Sequence, residues 1–416
     1  MFNCLYYSLL FSLFALQISH EGLAQTAVPN SLFSGGKWIK IETSVTGIHK
    51  IYYSWLKNNG FLHPENVKIY GSRNEMMSPA NNISPENSPI QLPLQRFKET
   101  IGEESLLFFV QGPVRWKYET ATGQYHPFRN QPARGFSYFF LTEDTGSDLL
   151  LSLSKQPAGN PDLQSSEYDD FELWEEENLN LLESGSRWFT ALLTGGNILS
   201  KSYTFQDRVE NEPVNFSIYA AGRSISPTQM EVTANGNGLG TVRFIPVQIS
   251  SGSDFASADS LKISRQVTGS GVNLSVKYIG TGSDQCWLDY ATLQLRGSLQ
   301  YRGIPLLFRD GRTMGKDKIV EFQVNGANSS LRLWEVTNPL SPVQQSFQFA
   351  NGQLTFRIKS DSLRSFILFD PQSKYPEVTK TEVIKNSDIQ HVDTPQFLIF
   401  TPAAFLDQAG RLAQYH

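Results

Sequence analysis

Short runs of alternating apolar and polar residues dominate this chain, and they predict β-strands along most of its length. Between Tyr203 and Leu299 such runs recur between Gly, Asn and Pro turn residues, as in "VNFSIYAAG", "TVRFIPVQIS" and "CWLDYATLQLRG". That spacing is typical of a β-sandwich. Earlier runs such as "NVKIYGS", "SLLFFVQGPVRWKYE" and "GFSYFFLTE" predict an N-terminal β-rich domain. Later runs such as "IVEFQV", "LRLWEV", "QLTFRI" and "SFILFD" predict a third β segment.

Two turn signals refine this pattern near the N-terminus and in the central region. From Lys37 to Tyr53 the chain predicts a hairpin whose turn is Thr46-Gly47, followed by a short helix that ends near Gly60. The segment "NGNGLG" contains three alternating glycines, which could suggest a phosphate-binding loop. A strand pattern follows it instead of a helix, so no helix N-terminus is available for a phosphate. The segment is therefore predicted to be a hairpin turn.

An acidic segment between residues 161 and 183 departs from the strand pattern. Helix formers dominate "YDDFELWEEENLNLLESG", and seven acidic residues lie between Glu167 and Glu177. Phe171 and Trp174 are one helical turn apart, and Gly185 could end the helix. A cation site is the functional interpretation. The favoured prediction is a solvated helix whose early carboxylates complement the positive end of the helix dipole.

The chain ends in "FLIFTPAAFLDQAGRLAQYH", which predicts a buried strand followed by a helix. The apolar run from Phe397 to Phe400 suits a strand that is buried on both faces. Thr401 can cap the helix, and one apolar face would carry Phe405, Ala409, Leu412 and Ala413. A single strand and helix cannot bury their own apolar faces. These residues are therefore expected to open an α/β domain that is truncated in this chain.

The N-terminus and the cysteine content indicate export. The stretch from Cys4 to Ile18 is apolar and short, and the small residues that follow suggest cleavage of a signal peptide after Ala24. Cleavage would leave Cys286 as the sole cysteine, so no internal disulfide framework is expected. Cys286 lies within a strand pattern and is expected to be a buried apolar residue instead of a nucleophile. With 35 basic and 40 acidic residues, the chain lacks the basic surface of a nucleic-acid binder.

The residues that could carry chemistry are dispersed along the chain. No histidine pairs at metal-ligand spacing with another His, Cys or carboxylate; the six are His20, His49, His63, His126, His391 and His416. Tryptophans can form a sugar-binding platform, but these are spread over separate strand patterns, so core packing is expected. The seven are Trp38, Trp55, Trp116, Trp174, Trp188, Trp287 and Trp334. No catalytic, cofactor-binding or metal-binding residue is assigned, and no cofactor is expected.

The predicted fold is mainly β, with multiple β-sandwich-like domains followed by the truncated first β-α unit of an α/β domain. The predicted divisions are a signal peptide at 1–24, an N-terminal β-rich domain at 25–160, an acidic helix and connector at 161–200, a β-sandwich domain at 201–300, a third β segment at 301–370, a linker at 371–395, and the start of the α/β domain at 396–416.

Several segments together resemble one family. The segments "KWIKIETSVTGIHKIYYSWLKNNGF", "VKIYGS", "SLLFFVQGPVRWKYETATGQYH", "NLLESGSRWF", "WLDYATLQLRGSL", "LWEVTNP" and the terminal "FLIFTPAAFLDQAGRLAQYH" follow the order and spacing seen there. The chain is similar to the N-terminal portion of the PorU family, the sortases of the type IX secretion system, which are gingipain-related cysteine peptidases. The resemblance implies that the terminal segment begins a caspase-like peptidase domain.

The resemblance also implies a function for the complete polypeptide. Family members act at the cell surface, where they remove the C-terminal signal of type IX cargo and can attach the cargo to lipopolysaccharide by cysteine acyl transfer. Their catalytic His and Cys follow the part that this chain matches, so the chain alone is expected to be inactive. Expected partners are cargo proteins, outer-membrane secretion components and, for the full-length form, lipopolysaccharide, but no nucleic acid. The alternative is a stand-alone secreted β-sandwich module for binding or adhesion.

Overall fold

A computed structural model describes residues 31–73, 89–100, 102–129, 135–183, 187–248, 250, 252–388 and 397–415. The predicted signal peptide at 1–24 lies outside these residues. The described residues form two compact units, one from residues 39–382 and one from residues 31–38 together with 383–415. The prediction of a mainly β fold is confirmed, because strands greatly outnumber the two short α-helices in the described part of the chain.

The N-terminal strands form two sheets over a common core. In chain order they are β1 (Trp38–Thr43), β2 (Gly47–Tyr52), β3 (Val67–Gly71), β4 (Ile90–Gln91), β5 (Gln95–Lys98), β6 (Glu104–Val110), β7 (Val114–Glu119), β8 (Gln124–Arg129) and β9 (Ser137–Glu143). One sheet contains the order β1-β9-β3-β4, and the other has the order β2-β6-β5. Helix α1 (Tyr53–Asn58) adds Leu56 to the core between them. Strands β7 and β8 pair only with each other and form a separate hairpin.

The predicted hairpin at residues 37–53 is wrong. Strand β1 pairs with β9, and β2 pairs with β6, so the two strands belong to different sheets. Gly47 begins β2 with φ of 144°, a backbone conformation that favours glycine. Both strands contribute apolar residues to the same core, and this packing outweighs the local turn signal.

The last strands form two further sheets, which pack with the two N-terminal sheets to form a stack. They are β21 (Leu306–Arg309), β22 (Ile319–Asn325), β23 (Arg332–Glu335), β24 (Val343–Gln345), β25 (Gln348–Ala350), β26 (Gln353–Lys359), β27 (Ser365–Phe369) and β28 (Thr379–Ile384). With β10 (Leu153–Ser154) and β11 (Leu163–Ser165), they form sheets of order β10-β24-β23-β27-β21 and β11-β22-β26-β25. Strand β28 instead lies beside β1. The predicted linker at 371–395 is therefore wrong in part, because it contains a strand.

Two strands have apolar residues on both faces because each lies between two cores. In β6, Leu106 and Phe108 pack with β1, β3 and β9, whereas Leu107 and Phe109 pack with β23 and β27. In β27, residues 366 and 368 face β22 and β26, and residues 367 and 369 face β6. The continuous apolar runs "LLFFV" and "FILF" thus place their strands inside a stack of four sheets.

The central strands form the predicted β-sandwich. They are β12 (Glu167–Glu175), β13 (Ala191–Thr194), β14 (Ile198–Thr204), β15 (Val214–Arg223), β16 (Thr228–Ala234), β17 (Asn237–Phe244), β18 (Ser257–Arg265), β19 (Gly271–Ile279) and β20 (Gln285–Ser298). One sheet has the order β12-β20-β15-β18, with β13 also paired to β20, and the other has the order β14-β19-β16-β17. The "NGNGLG" turn is confirmed as a hairpin, with positive φ at Asn235 and Gly236.

The predicted acidic helix within residues 161–200 is wrong. Strand β12 occupies residues 167–175 and pairs antiparallel with β20 along its whole length, and β13 also joins that sheet. Helix propensity is a weak preference that tertiary pairing overrides, and here Tyr168 and Trp174 are buried on one face of the strand. Gly185, the predicted end of the helix, lies outside the described residues.

In the terminal segment the predicted strand is not formed, whereas the predicted helix is present. Residues 397–400 form no strand, and Phe400 is 91% exposed. No described strand pairs with this segment, so its backbone lacks the ladder that a strand requires. A 3-10 turn at Ala403–Phe405 leads into α2 (Leu406–Tyr415), as predicted. Thr401 is not a cap, since its hydroxyl bonds the carbonyl of Pro402.

Replacing Gly222 with alanine should destabilise the sandwich. A Cβ at Gly222 in β15 would lie 2.4 Å from Cγ of Phe244, a ring that is buried in the core. Gly222→Ala is expected to lower the free energy of unfolding by about 1–3 kcal/mol through overpacking, measured by urea denaturation. Gly238→Ala in β17 is the control, because no atom lies within 4 Å of its added Cβ. Equal effects of the two variants would contradict this packing.

Candidate functional site

A hydrogen-bonded clamp fixes the hairpin β7–β8 against the central sandwich. The buried Gln294 side chain of β20 accepts from the Tyr125 backbone N–H at 2.8 Å and donates to its carbonyl at 2.7 Å. The Tyr125 hydroxyl donates to Asp169 at 2.7 Å, and Arg129 donates to Glu175 at 2.6 Å. The hairpin is therefore held by its backbone and by two side chains, both bonded to β12.

The ion cluster at the base of this hairpin is centred on the buried Arg296 of β20. Its guanidinium contacts Asp169 of β12, lies 2.8 Å from Asp310 Oδ1 and lies 3.3 Å from Glu167 Oε2. Asp310 follows β21 in the stack of sheets and also accepts from the Ser165 hydroxyl at 2.8 Å. Burial alone would lower the pKa of Arg296, but the bonded carboxylates of Asp310 and Asp169 raise it. Arg296 therefore keeps its charge, and the cluster ties the sandwich to the stack.

A cleft of about 330 Å³ opens beside the same hairpin and is the candidate binding site. Two arginines and no acidic side chain are found among the described residues that line it. The lining residues most relevant to binding are Arg115, Trp116, Phe128, Phe171, Arg309 and Ser365. The ring of Trp116 packs 4.3 Å from that of Phe171, and Phe128 is 44% exposed. The cleft thus combines aromatic walls with positive charge.

Arg309 is the last residue of β21, and its guanidinium lines the cleft without a carboxylate partner among the described residues. Its side chain is half-buried, and protein atoms densely surround its guanidinium. The guanidinium lies 5.2 Å from the centre of the Phe171 ring and 5.9 Å from that of Tyr125. Among the described residues, no side chain accepts a hydrogen bond from it or forms an ion pair with it. Burial lowers the pKa of Arg309, and nearby Tyr125 and Asp169 oppose that effect.

Strand β12 separates its acidic residues between two environments. Asp169 and Phe171 lie on the face toward the hairpin, where Asp169 also accepts from the Gly311 backbone N–H at 2.6 Å. Asp170 lies on the opposite face, beside Tyr168 and Glu172. Burial, followed by the negative charge of Glu172, raises the pKa of Asp170 to about 6. The acidic run is thus neither a solvated face nor a cluster of cation ligands: no group of three or more His, Cys, Asp or Glu suited to a metal occurs among the described residues.

The described cysteine and the described histidines lie outside the cleft lining. Cys286 is fully buried in the sandwich core, and burial raises the pKa of its thiol. His49 is fully buried in β2, bonded to Thr43 at 2.9 Å, and burial lowers its pKa to about 4. His63 and His126 pair with Glu65 and Glu119 near the surface; the remaining histidines, His20, His391 and His416, lie outside the described residues.

Most tryptophans serve packing, as the sequence pattern predicted. Trp38, Trp174, Trp287 and Trp334 are buried. Trp55, Trp116 and Trp188 are half-buried, and only Trp116 lines the cleft described here. Arg309 was not predicted as a site residue, because "LLFRDGR" has the pattern of a strand end followed by a turn. Its only signal is a lone arginine at the end of an apolar run, and the rings beneath it come from distant segments.

The described residues contain no helix that is long and apolar enough to cross a membrane. No family model matches the chain, and no curated protein matches it. Among solved structures, the dimeric latent form of PorU from Porphyromonas gingivalis matches with a TM-score of 0.78 and 20% sequence identity. The match covers 93% of this chain and 36% of that chain. The resemblance to PorU predicted from sequence is therefore confirmed at the level of the fold.

Other solved structures match only weakly. A CBM36 domain of a xylanase from the hindgut metagenome of Trinervitermes trinervoides has a TM-score of 0.21, with 10% identity over 30% of this chain and 96% of that chain. A CBM36 module in complex with calcium and xylotriose has the same TM-score, with 12% identity over 29% of this chain and 98% of that chain. Values this low carry no functional argument.

Removing the Arg296 charge should destabilise the protein strongly. Arg296→Met leaves the carboxylates of Asp169 and Asp310 without their shared partner in a buried setting, so the free energy of unfolding should fall by about 3–5 kcal/mol. Arg302→Met is the control, because Arg302 is half-exposed in its pair with Asp207 and should cost at most about 1 kcal/mol. Guanidinium denaturation measures both. A small loss in Arg296→Met would contradict a central role for the cluster.

Asp170→Asn should stabilise the protein at neutral pH but not in acid. The pKa of Asp170 is about 6 in the folded state and has its ordinary, lower value in the unfolded state. Between these two pH values the folded state binds more protons than the unfolded state, so the free energy of unfolding falls as the pH rises through that window. Asparagine removes the charge, so the variant should gain about 1–3 kcal/mol near pH 7.5 and nothing near pH 4. The control is Asp254→Asn at an exposed site. Denaturant melts at both pH values test this, and a pH-independent gain would contradict it.

Proposed function

We propose that this chain is the N-terminal, non-catalytic part of a type IX secretion sortase. In its full form, such an enzyme cleaves the C-terminal signal of secreted cargo and attaches the cargo to surface lipopolysaccharide by cysteine acyl transfer. The similarity to the PorU fold over 93% of this chain is the observation that supports the proposal. Because the chain spans only 36% of that PorU chain, the activity of the whole enzyme remains a proposal for this protein.

The chemistry of the described residues supports a positioning role instead of catalysis. Acyl transfer by a cysteine peptidase needs a thiol and an imidazole in contact. Cys286 lies in the sandwich core and His49 lies in the core of the N-terminal sheets, so these two groups cannot form such a pair. We therefore propose that the sheets bind type IX cargo and outer-membrane secretion components, while residues outside this chain supply the nucleophile and base.

The proposal extends to location and domain organisation. An exported chain that acts at the outer-membrane surface would use the predicted signal peptide at 1–24, and its domains would follow the predicted limits, with strands β12 and β13 assigned to the sandwich. A terminal caspase-like domain would begin near residue 396. Protection of the chain from protease added to intact cells would argue against the surface location.

The purified exported chain should bind type IX cargo without cleaving it. The measurement is biolayer interferometry against a cargo protein that carries its C-terminal signal, with the same cargo lacking the signal as the control, followed by a gel assay for cleavage. Binding that requires the signal is expected, and no cleavage is expected because Cys286, the one cysteine among the described residues, is fully buried.

Two outcomes would contradict this function. Thiol-dependent cleavage that is lost in Cys286→Ser would show that the chain is itself a peptidase. Equal or absent binding of the two cargo forms would remove the positioning role and favour the alternative of a stand-alone β-sandwich module for binding or adhesion.

A further inference from the structure

The cleft beside the hairpin β7–β8 contains the guanidinium of Arg309, which forms no ion pair with any described residue. Arg115 and Arg309 line it, and no Asp or Glu is among its described lining residues. An isolated charge in a confined site is costly unless an anion accompanies it. The cleft therefore favours an anionic ligand.

The donors of Arg309 remain available for such a ligand. Its contacts with Tyr125 and Phe171 are of the cation–π type, which does not supply a hydrogen-bond acceptor for its N–H groups. A planar guanidinium offers paired donors that match the two oxygens of a carboxylate. The Ser365 hydroxyl also lines the cleft, and it has no side-chain or backbone acceptor among the residues described.

The apolar side chains that line the cleft determine which chemical group can be attached to the bound carboxylate. Trp116, Phe171 and the partly exposed Phe128 form flat apolar surfaces, and Leu307, Val336 and Pro339 complete the lining. A volume of about 330 Å³ is near the lower end of the range for small-molecule sites, and it would accommodate a group the size of one aromatic amino acid. Phosphate esters carry more charge than one available guanidinium would neutralise, so a monoanion fits better.

We propose that this cleft is a binding site for a carboxylate joined to an aromatic or large apolar group, with Arg309 receiving the carboxylate and Trp116, Phe128 and Phe171 receiving the apolar body. The proposal goes beyond the sortase function and does not depend on it. Two sources share this chemistry, namely a free aromatic acid and the C-terminal residue of a peptide.

The site can be tested by calorimetric titration of the whole exported chain with matched ligands. The probes are N-acetylphenylalanine, its amide, and the peptide Ala-Ala-Phe with a free or an amidated C-terminus. The free carboxylates should bind, and each amide should bind at least about tenfold more weakly, because a charge-assisted hydrogen-bond pair is lost. Binding of the acid alone identifies a small-molecule site, whereas tighter binding of the free peptide identifies a site for chain ends.

Variants separate the two parts of the site. Arg309→Gln should weaken the free carboxylates at least about tenfold and should leave the amides unchanged. Phe128→Ala at the exposed mouth should weaken acids and amides alike, by about fivefold, because it removes aromatic contact area. Arg302→Gln, at an ion pair outside the cleft lining, should have no effect. Thermal unfolding of each variant verifies that it is folded.

Three results would overturn the proposal. These are the absence of calorimetric binding by every free carboxylate, equal binding of acids and amides, and equal binding by the unaltered chain and a folded Arg309→Gln variant. If Arg309→Gln does not fold, Phe128→Ala decides: unchanged affinity in that variant also overturns the site. Loss of type IX cargo binding would refute the sortase function alone, because the small-ligand titration uses no cargo.

Discussion

The ion cluster around Arg296 is the constraint on which the rest of the large unit depends. Arg296 belongs to the sandwich, whereas Asp310 belongs to the stack of sheets, and both are buried. Burying these charges is favourable only when they meet at hydrogen-bonding distance. The sandwich and the stack must therefore dock in one orientation. The Tyr125 hydroxyl adds the hairpin β7–β8 to the same arrangement through Asp169.

Strand β12 links this constraint to the candidate site through the alternation of its side chains. Asp169 reaches Arg296, and two residues later Phe171 reaches the same side of the strand, beneath the guanidinium of Arg309. The contacts that satisfy the ion cluster thus also set the floor of the cleft. Asp170, which points the other way, is left in a setting that raises its pKa. A one-residue shift in the register of β12 would exchange these two environments and break both.

The sequence predicted those parts of the fold in which local pattern and tertiary environment agree. Alternating runs predicted the sandwich, and the doubly apolar β6 and β27 were identified as strands, although the four-sheet stack that buries both their faces was not foreseen. The helix predicted over the acidic run failed because helix propensity is a weak preference that the nine-residue pairing with β20 overrides. The hairpin at residues 37–53 failed because a local turn signal does not say which distant strand will pair.

The candidate site was beyond prediction for a related reason. Its residues come from β7, β8, β12, β21 and β27, and no two of the rings around Arg309 are neighbours in a recognisable motif. Arg309 has Asp310 beside it in sequence, yet that carboxylate is committed to Arg296. Asp310 therefore does not pair with Arg309, and the charge that remains is what gives the cleft its preference for a ligand carboxylate.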